Sequence, residues 1–159
     1  MTLDETLRQR LADWRPQDRQ ILVVAPEGAG WTVSVTADRC DEVGCLLWEL
    51  TLRRTAPAAA GWSVQAWAER AAGRVTGLLE PLKIVEVDAV RDEALLRSDE
   101  PAQRGEQLFY YELLLKGSGT ALLRRYQAAP NGQARREQVT FALTHEALAK
   151  LAADLTADA

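Results

Sequence analysis

The sequence is poor in the residues that most chemistry needs. Its 159 positions hold one histidine, His145, and two cysteines, Cys40 and Cys45. Two cysteines are too few for a disulfide-stapled scaffold. A single histidine leaves little from which to build a nucleophile and its base, and no G-x-S-x-G elbow is present. The Gly117-Ser118-Gly119 turn lacks the G-x-x-x-x-G-K-S/T pattern before a helix, and no G-x-G-x-x-G loop occurs, so phosphate binding has no support. No run of 18 apolar residues exists, which excludes a helical membrane span as an expectation. The first residues, MTLDETLRQRL, are charged and carry no apolar core run, so no leader is expected and the expected compartment is the cytoplasm. An excess of basic charge is missing too. Lys and Arg number 19 against 23 Asp and Glu, for a formal net charge of -4, and nucleic acid is not an expected partner.

What is present is material for a core. With 47% apolar residues the chain suits one domain over 1–159. The clearest stretch is 63–80. Val64, Trp67, Ala68, Ala71, Val75 and Leu78 recur at steps of three and four, the spacing of one helical face. Ser63 is placed to cap it and Pro81 to stop it. Glu69, Arg70, Arg74 and Glu80 are expected on its wet side.

Strand patterns flank this central helix. Residues 2–14 read as a first helix with a Thr2/Glu5 capping box and an apolar stripe of Leu3, Leu7 and Leu11. Segment 20–25 reads as a short strand apolar on both faces, segments 31–36 and 45–54 alternate with period two, and the three are joined by short turns, which implies an antiparallel meander. In the third of these, Leu46, Trp48, Leu50 and Leu52 are expected to share a face. After Pro81, strands are expected at 83–90, 94–98, 108–116, 120–127 and 135–142, with a polar loop at 98–107 and an Asn131-Gly132 hairpin. Thr144 caps a last helix lined by Ala147, Leu148, Leu151 and Leu155. The expected fold is therefore α+β: an antiparallel sheet of about eight strands in the order α-βββ-α-βββββ-α, packed by three helices. Strand group 20–54 and strand group 83–143 stand on either side of helix 63–80.

That order of elements, with the size and acidic balance, resembles the small acidic dimeric secretion chaperones, which hold unfolded segments of effector proteins. The extra hairpins after Arg97 depart from that family's layout. The resemblance implies a dimer with a protein partner, and no residue's role is carried over with it.

The functional candidates are few. Glu112 interrupts the apolar run 108–116, and Arg124 is its expected cross-hairpin partner. A pocket between sheet and central helix is expected to be lined by Trp67, Tyr111, Glu112 and Arg124. The stripe Leu3, Leu7, Leu11 and the off-face Trp62 are interface candidates. Lys116, Arg124, Arg125, Arg135 and Arg136 read as a basic patch opposite the acidic segment 83–106, which has seven acids against four bases. Cys-x4-Cys with one distant histidine does not match the paired spacings of a structural zinc site, so no metal or cofactor is expected. Cys45 reads as a small core residue and Cys40 as a free thiol. No catalytic residue is assigned. The leading expectation is a non-enzymatic protein-binding, adaptor or chaperone-like domain with a protein partner or second copy. The alternative is a small-molecule binding protein or small enzyme.

Overall fold

Alternating apolar residues produce one antiparallel sheet, covered by helices on one face. The computed structural model describes residues 1–129 and 135–157. In chain order these form α1 (Leu3–Asp13), β1 (Gln20–Val24), β2 (Trp31–Cys40), β3 (Gly44–Arg54), α2 (Val64–Arg74), β4 (Leu82–Asp88), β5 (Glu93–Ser98), β6 (Ala102–Arg104), β7 (Gln107–Lys116), β8 (Thr120–Ala128), β9 (Glu137–Val139), β10 (Phe141–Thr144) and α3 (His145–Thr156). The main path of the sheet runs β1-β2-β3-β8-β7-β5-β4, with β6 on β7, β9 on β8 and β10 on β3. This is the expected α+β layout, with two strands more than the expected eight. A short β6 forms in the stretch expected to be a loop, and the expected last strand is split into β9 and β10. The Asn131-Gly132 hairpin lies outside the described residues.

The capping residues act as their chemistry predicts. Thr2 accepts from the Glu5 amide while Glu5 reaches back to the Thr2 amide; Ser63 and Thr144 accept from the amides of Ala66 and Ala147. The central helix is shorter than expected. It ends at Arg74 with Val75 as its C-cap, and the chain turns before β4. Glu80 is consequently not on a wet helical face but buried.

The core lies between the sheet and the three helices. Leu7, Leu11, Leu47, Leu50, Leu52, Trp67, Leu96, Tyr111, Leu113, Leu115, Leu123 and Leu148 are its largest sealed side chains. The Trp67 indole donates to the Leu155 carbonyl at 2.8 Å, tying α2 to α3. Trp31 and Trp62 stack at a tilt against Trp67, with ring centroids 5.8 and 5.6 Å away.

Two irregularities change which side chains face where. Along β2 and β3 the pairing slips twice: Thr36 faces Glu49 but Ala37 faces Leu47, and then Arg39 faces Leu46. Trp48 is the extra residue in β3 and Asp38 the extra residue in β2, each a β-bulge. Leu47, Leu50 and Leu52 therefore share the buried face, while Leu46, Trp48 and Glu49 stay on the open side. The expected Leu46–Trp48–Leu50–Leu52 face does not form, because one inserted residue inverts the alternation beyond it.

The edge of β3 facing away from β2 is divided between two partners. β8 pairs with Leu50–Arg53, and β10 pairs with residues 44–47. β3 and β8 diverge after this four-residue contact, and the segment 137–144 fills the gap, pairing first with β8 and then with β3. Gln138 spans the junction, donating to the Trp48 carbonyl at 2.9 Å.

Candidate functional site

The divided edge of β3 brings the single histidine to both cysteines. Cys40 and Cys45 end β2 and begin β3, directly opposite each other, and form a disulfide across the hairpin. The turn between them is held by Asp41, whose Oδ1 accepts from the Val43 and Gly44 amides at 2.8 and 2.9 Å. Those amides, Gly44 first, hold the Asp41 carboxyl below the ordinary aspartate range. Gly44 has a second role. A Cβ there would stand 2.6 Å from the Leu143 carbonyl oxygen, so only glycine lets β10 approach this closely. β10 then delivers the N-cap Thr144, and the His145 amide donates to the Val43 carbonyl at 2.9 Å. The imidazole Nε2 comes to 3.4 Å from Cys40 Sγ, across 105 residues of chain. One ligand atom from each of Cys40, Cys45 and His145 lies within 4.8 Å of the others.

Both cysteines are buried, and His145 is half-buried. The cluster borders a surface depression of about 570 Å³ lined by Arg39, Cys40, Asp41, Val43, Gly44, Cys45, Leu46, Ala142, Leu143 and Thr144. α3 begins at His145, beside the cluster. Cys40 is not the free thiol that the sequence suggested. One of the reasons for expecting no metal ligands, the distance along the chain between His145 and the pair, is removed by the β10–β3 pairing; the second cysteine pair of a four-ligand structural site is still missing.

The four expected pocket residues do not converge. Trp67 and Tyr111 are sealed in the core on the helix side. Glu112 and Arg124 occupy the opposite, open face. They are register partners but not ion-pair partners: Arg124 binds Glu49 at 2.8 Å, and Glu112 binds Arg97 and Arg136. Leu3, Leu7 and Leu11 are buried within the chain, and Trp62 packs partly against the core beneath the Arg54 guanidinium, 4.2 Å from its ring. The basic patch is likewise broken up, since Arg125, Arg124 and Arg136 each face a carboxylate.

A second polar cluster lies deep in the molecule. Arg125 grips Glu80 with two nitrogens, at 2.9 and 3.3 Å. The Ser98 hydroxyl donates to Glu80 at 2.9 Å and accepts from the Tyr111 amide at 2.8 Å. The guanidinium carbon sits 4.2 Å from the Tyr111 ring centroid. Burial pushes the Tyr111 phenol up, with the Arg125 charge opposing, and the phenol oxygen has no hydrogen-bond partner among the described residues.

Compared with known protein families, curated proteins and solved structures, the chain matches none. The likeness to secretion chaperones therefore stands on layout alone. No described helix is long and apolar enough to cross a membrane. The molecule is a compact α+β domain with a Cys/Cys/His cluster at one end of the sheet and an aromatic cluster beneath α2.

Proposed function

We propose that this is a binding domain whose ligand, a small molecule or ion, occupies the depression beside Cys40, Cys45 and His145. The observation that carries this reading is convergence: three of the scarcest side chains in the sequence meet in one cluster, and two of them, Cys40 and Cys45, line a surface concavity. Pockets that bind ligands combine an apolar wall with a few convergent polar groups. Leu46, Ala142 and Leu143 supply the wall here, and Cys40 and Cys45 supply sulfur, with the His145 imidazole directly behind them, 3.4 Å from Cys40 Sγ. The cytoplasm remains the compartment of this reading.

A second reading keeps the protein-binding or adaptor role, with a second copy or another chain as partner. It is favoured by the open face and edges of the sheet, where Ile21, Val23, Leu46, Val85 and Val87 are exposed. Amide-resolved NMR during a screen of small acids, thiols and metal ions separates the two. Shifts clustered at 39–46 and 141–146 are the expected result. Hits confined to the open face, together with a dimer in sedimentation, would overturn the first reading in favour of the second.

A further inference from the structure

We propose that the reduced domain binds one zinc ion through Cys40 Sγ, Cys45 Sγ and His145 Nε2, and that forming the 40–45 disulfide expels it. The proposal rests on the depression being the binding site, and it names the ligand.

The geometry is close to what zinc requires. Zn–S bonds of about 2.3 Å and Zn–N bonds of about 2.0–2.1 Å at tetrahedral angles put neighbouring donor atoms roughly 3.5–3.8 Å apart. Cys40 Sγ and His145 Nε2 are already 3.4 Å apart. All three ligand atoms lie within 4.8 Å of one another; the two sulfurs must separate, and they stand on facing strand positions with Cα atoms 4.0 Å apart, near enough for both to reach one ion. The donor set is soft. Two thiolates and an imidazole select zinc over calcium or magnesium, which take oxygen ligands. Thiolate is the ligating form. The main chain that carries the imidazole is held in place: the His145 amide is bonded to Val43, and the preceding Thr144 caps α3. Three protein ligands leave a fourth position for water or an exogenous group, and the neighbouring depression gives that group room.

Exchange between the two states balances with a small disulfide as oxidant. Cys40 and Cys45 thiolates each give up one electron as their S–S bond forms. The S–S bond of the small disulfide breaks, its two sulfurs take the two electrons and two protons from solvent, and two small thiols leave. The zinc ion departs as Zn²⁺ because no thiolate remains to hold it. A reducing compartment keeps the protein in the dithiol, metal-binding state.

The test uses the full chain reduced with a phosphine, without oxygen, and Co²⁺ as the spectroscopic probe. The expected result is one equivalent bound, with a thiolate-to-cobalt charge-transfer band and intense tetrahedral d–d bands, both abolished by equimolar Zn²⁺. The disulfide form should show neither band. His145→Ala, checked for fold by circular dichroism, should weaken zinc binding at least about tenfold, since even changes beyond the ligand shell cost 10–100-fold. A folded, reduced protein without a charge-transfer band would overturn the metal assignment. Unchanged affinity in His145→Ala would overturn the three-ligand site, and retained zinc in the disulfide form would overturn expulsion. If cobalt is silent while small molecules still shift the amides of 39–46, the metal fails and the binding site survives; if neither acts, both fail.

Discussion

Two polar clusters join distant parts of this chain, and they differ in what they leave over. Around Glu80, the charges are matched inside the protein: Arg125 takes both carboxylate oxygens, and Ser98 donates to Glu80 while accepting from the Tyr111 amide. The pair is about as buried as the core leucines around it, with side-chain exposures of 6% and 8%. At Cys40, Cys45 and His145 the groups also converge, but the two cysteines border open space. A buried cluster whose charges are matched within the protein commits its chemistry to the fold. A cluster at the edge of open space is where a ligand can enter.

That contrast is broken most forcefully by Glu80→Ala. It leaves the Arg125 charge buried without its partner and should destabilise by about 3–5 kcal/mol, read as a lower urea midpoint. Replacing both members, Glu80→Leu with Arg125→Met, should recover most of the loss, because an apolar pair of similar volume avoids the desolvation cost. A double variant as unstable as Glu80→Ala would show that the network is specifically required. Gly44→Ala comes next. Its Cβ would meet the Leu143 carbonyl and force β10 away, for a loss of about 1–3 kcal/mol. Faster hydrogen exchange at 141–145 and weaker metal binding should accompany it, with the Glu80 cluster untouched. Wild-type exchange at these amides would mean that β10 does not depend on the missing side chain.

The smallest effect concerns pH. The Asp41 carboxyl is depressed by the Gly44 and Val43 amides relative to an ordinary value of 3.8. A group whose folded pKa is depressed stabilises the fold above its unfolded pKa. The contribution is thus complete at neutral pH and is lost as pH falls below about 4 toward the native value. Asp41→Asn should flatten that acid limb slightly while keeping the amide bonds through its side-chain oxygen. An unchanged acid limb would show that the turn does not contribute to it.

Local chemistry was readable in the sequence wherever it was decided locally. Thr2 with Glu5, Ser63 and Thr144 announced three helix starts, and the period-two runs announced the strands. The features that shape the site are decided at long range. The bulge at Trp48 depends on how β2 and β3 slide past each other, which no alternation within β3 contains. Glu80 looks like an ordinary wet helical residue until the helix stops at Arg74 and a buried guanidinium is waiting. His145 becomes a neighbour of Cys40 only through the β10–β3 pairing. The one local trace of that contact was Gly44, a glycine at the edge of a strand, where a close backbone approach is a usual reason for its presence.

The divided edge of β3 also sets the order in which the molecule is built. A ribosome extends a chain at about 5–20 residues per second, so β3 emerges well before β8 and longer still before β10. The β1–β2–β3 meander can assemble early, but its outer edge must then wait unpaired, a template for any passing strand. Closure comes in two instalments, first by β8 and then by the segment 137–144. Because that second instalment carries His145, the cysteines meet their third neighbour only after β10 has been made and has paired with β3. The Cys/Cys/His cluster thus marks the arrival of β10: a chain cut short before it would keep its hairpin and both sulfurs, but could not complete the set.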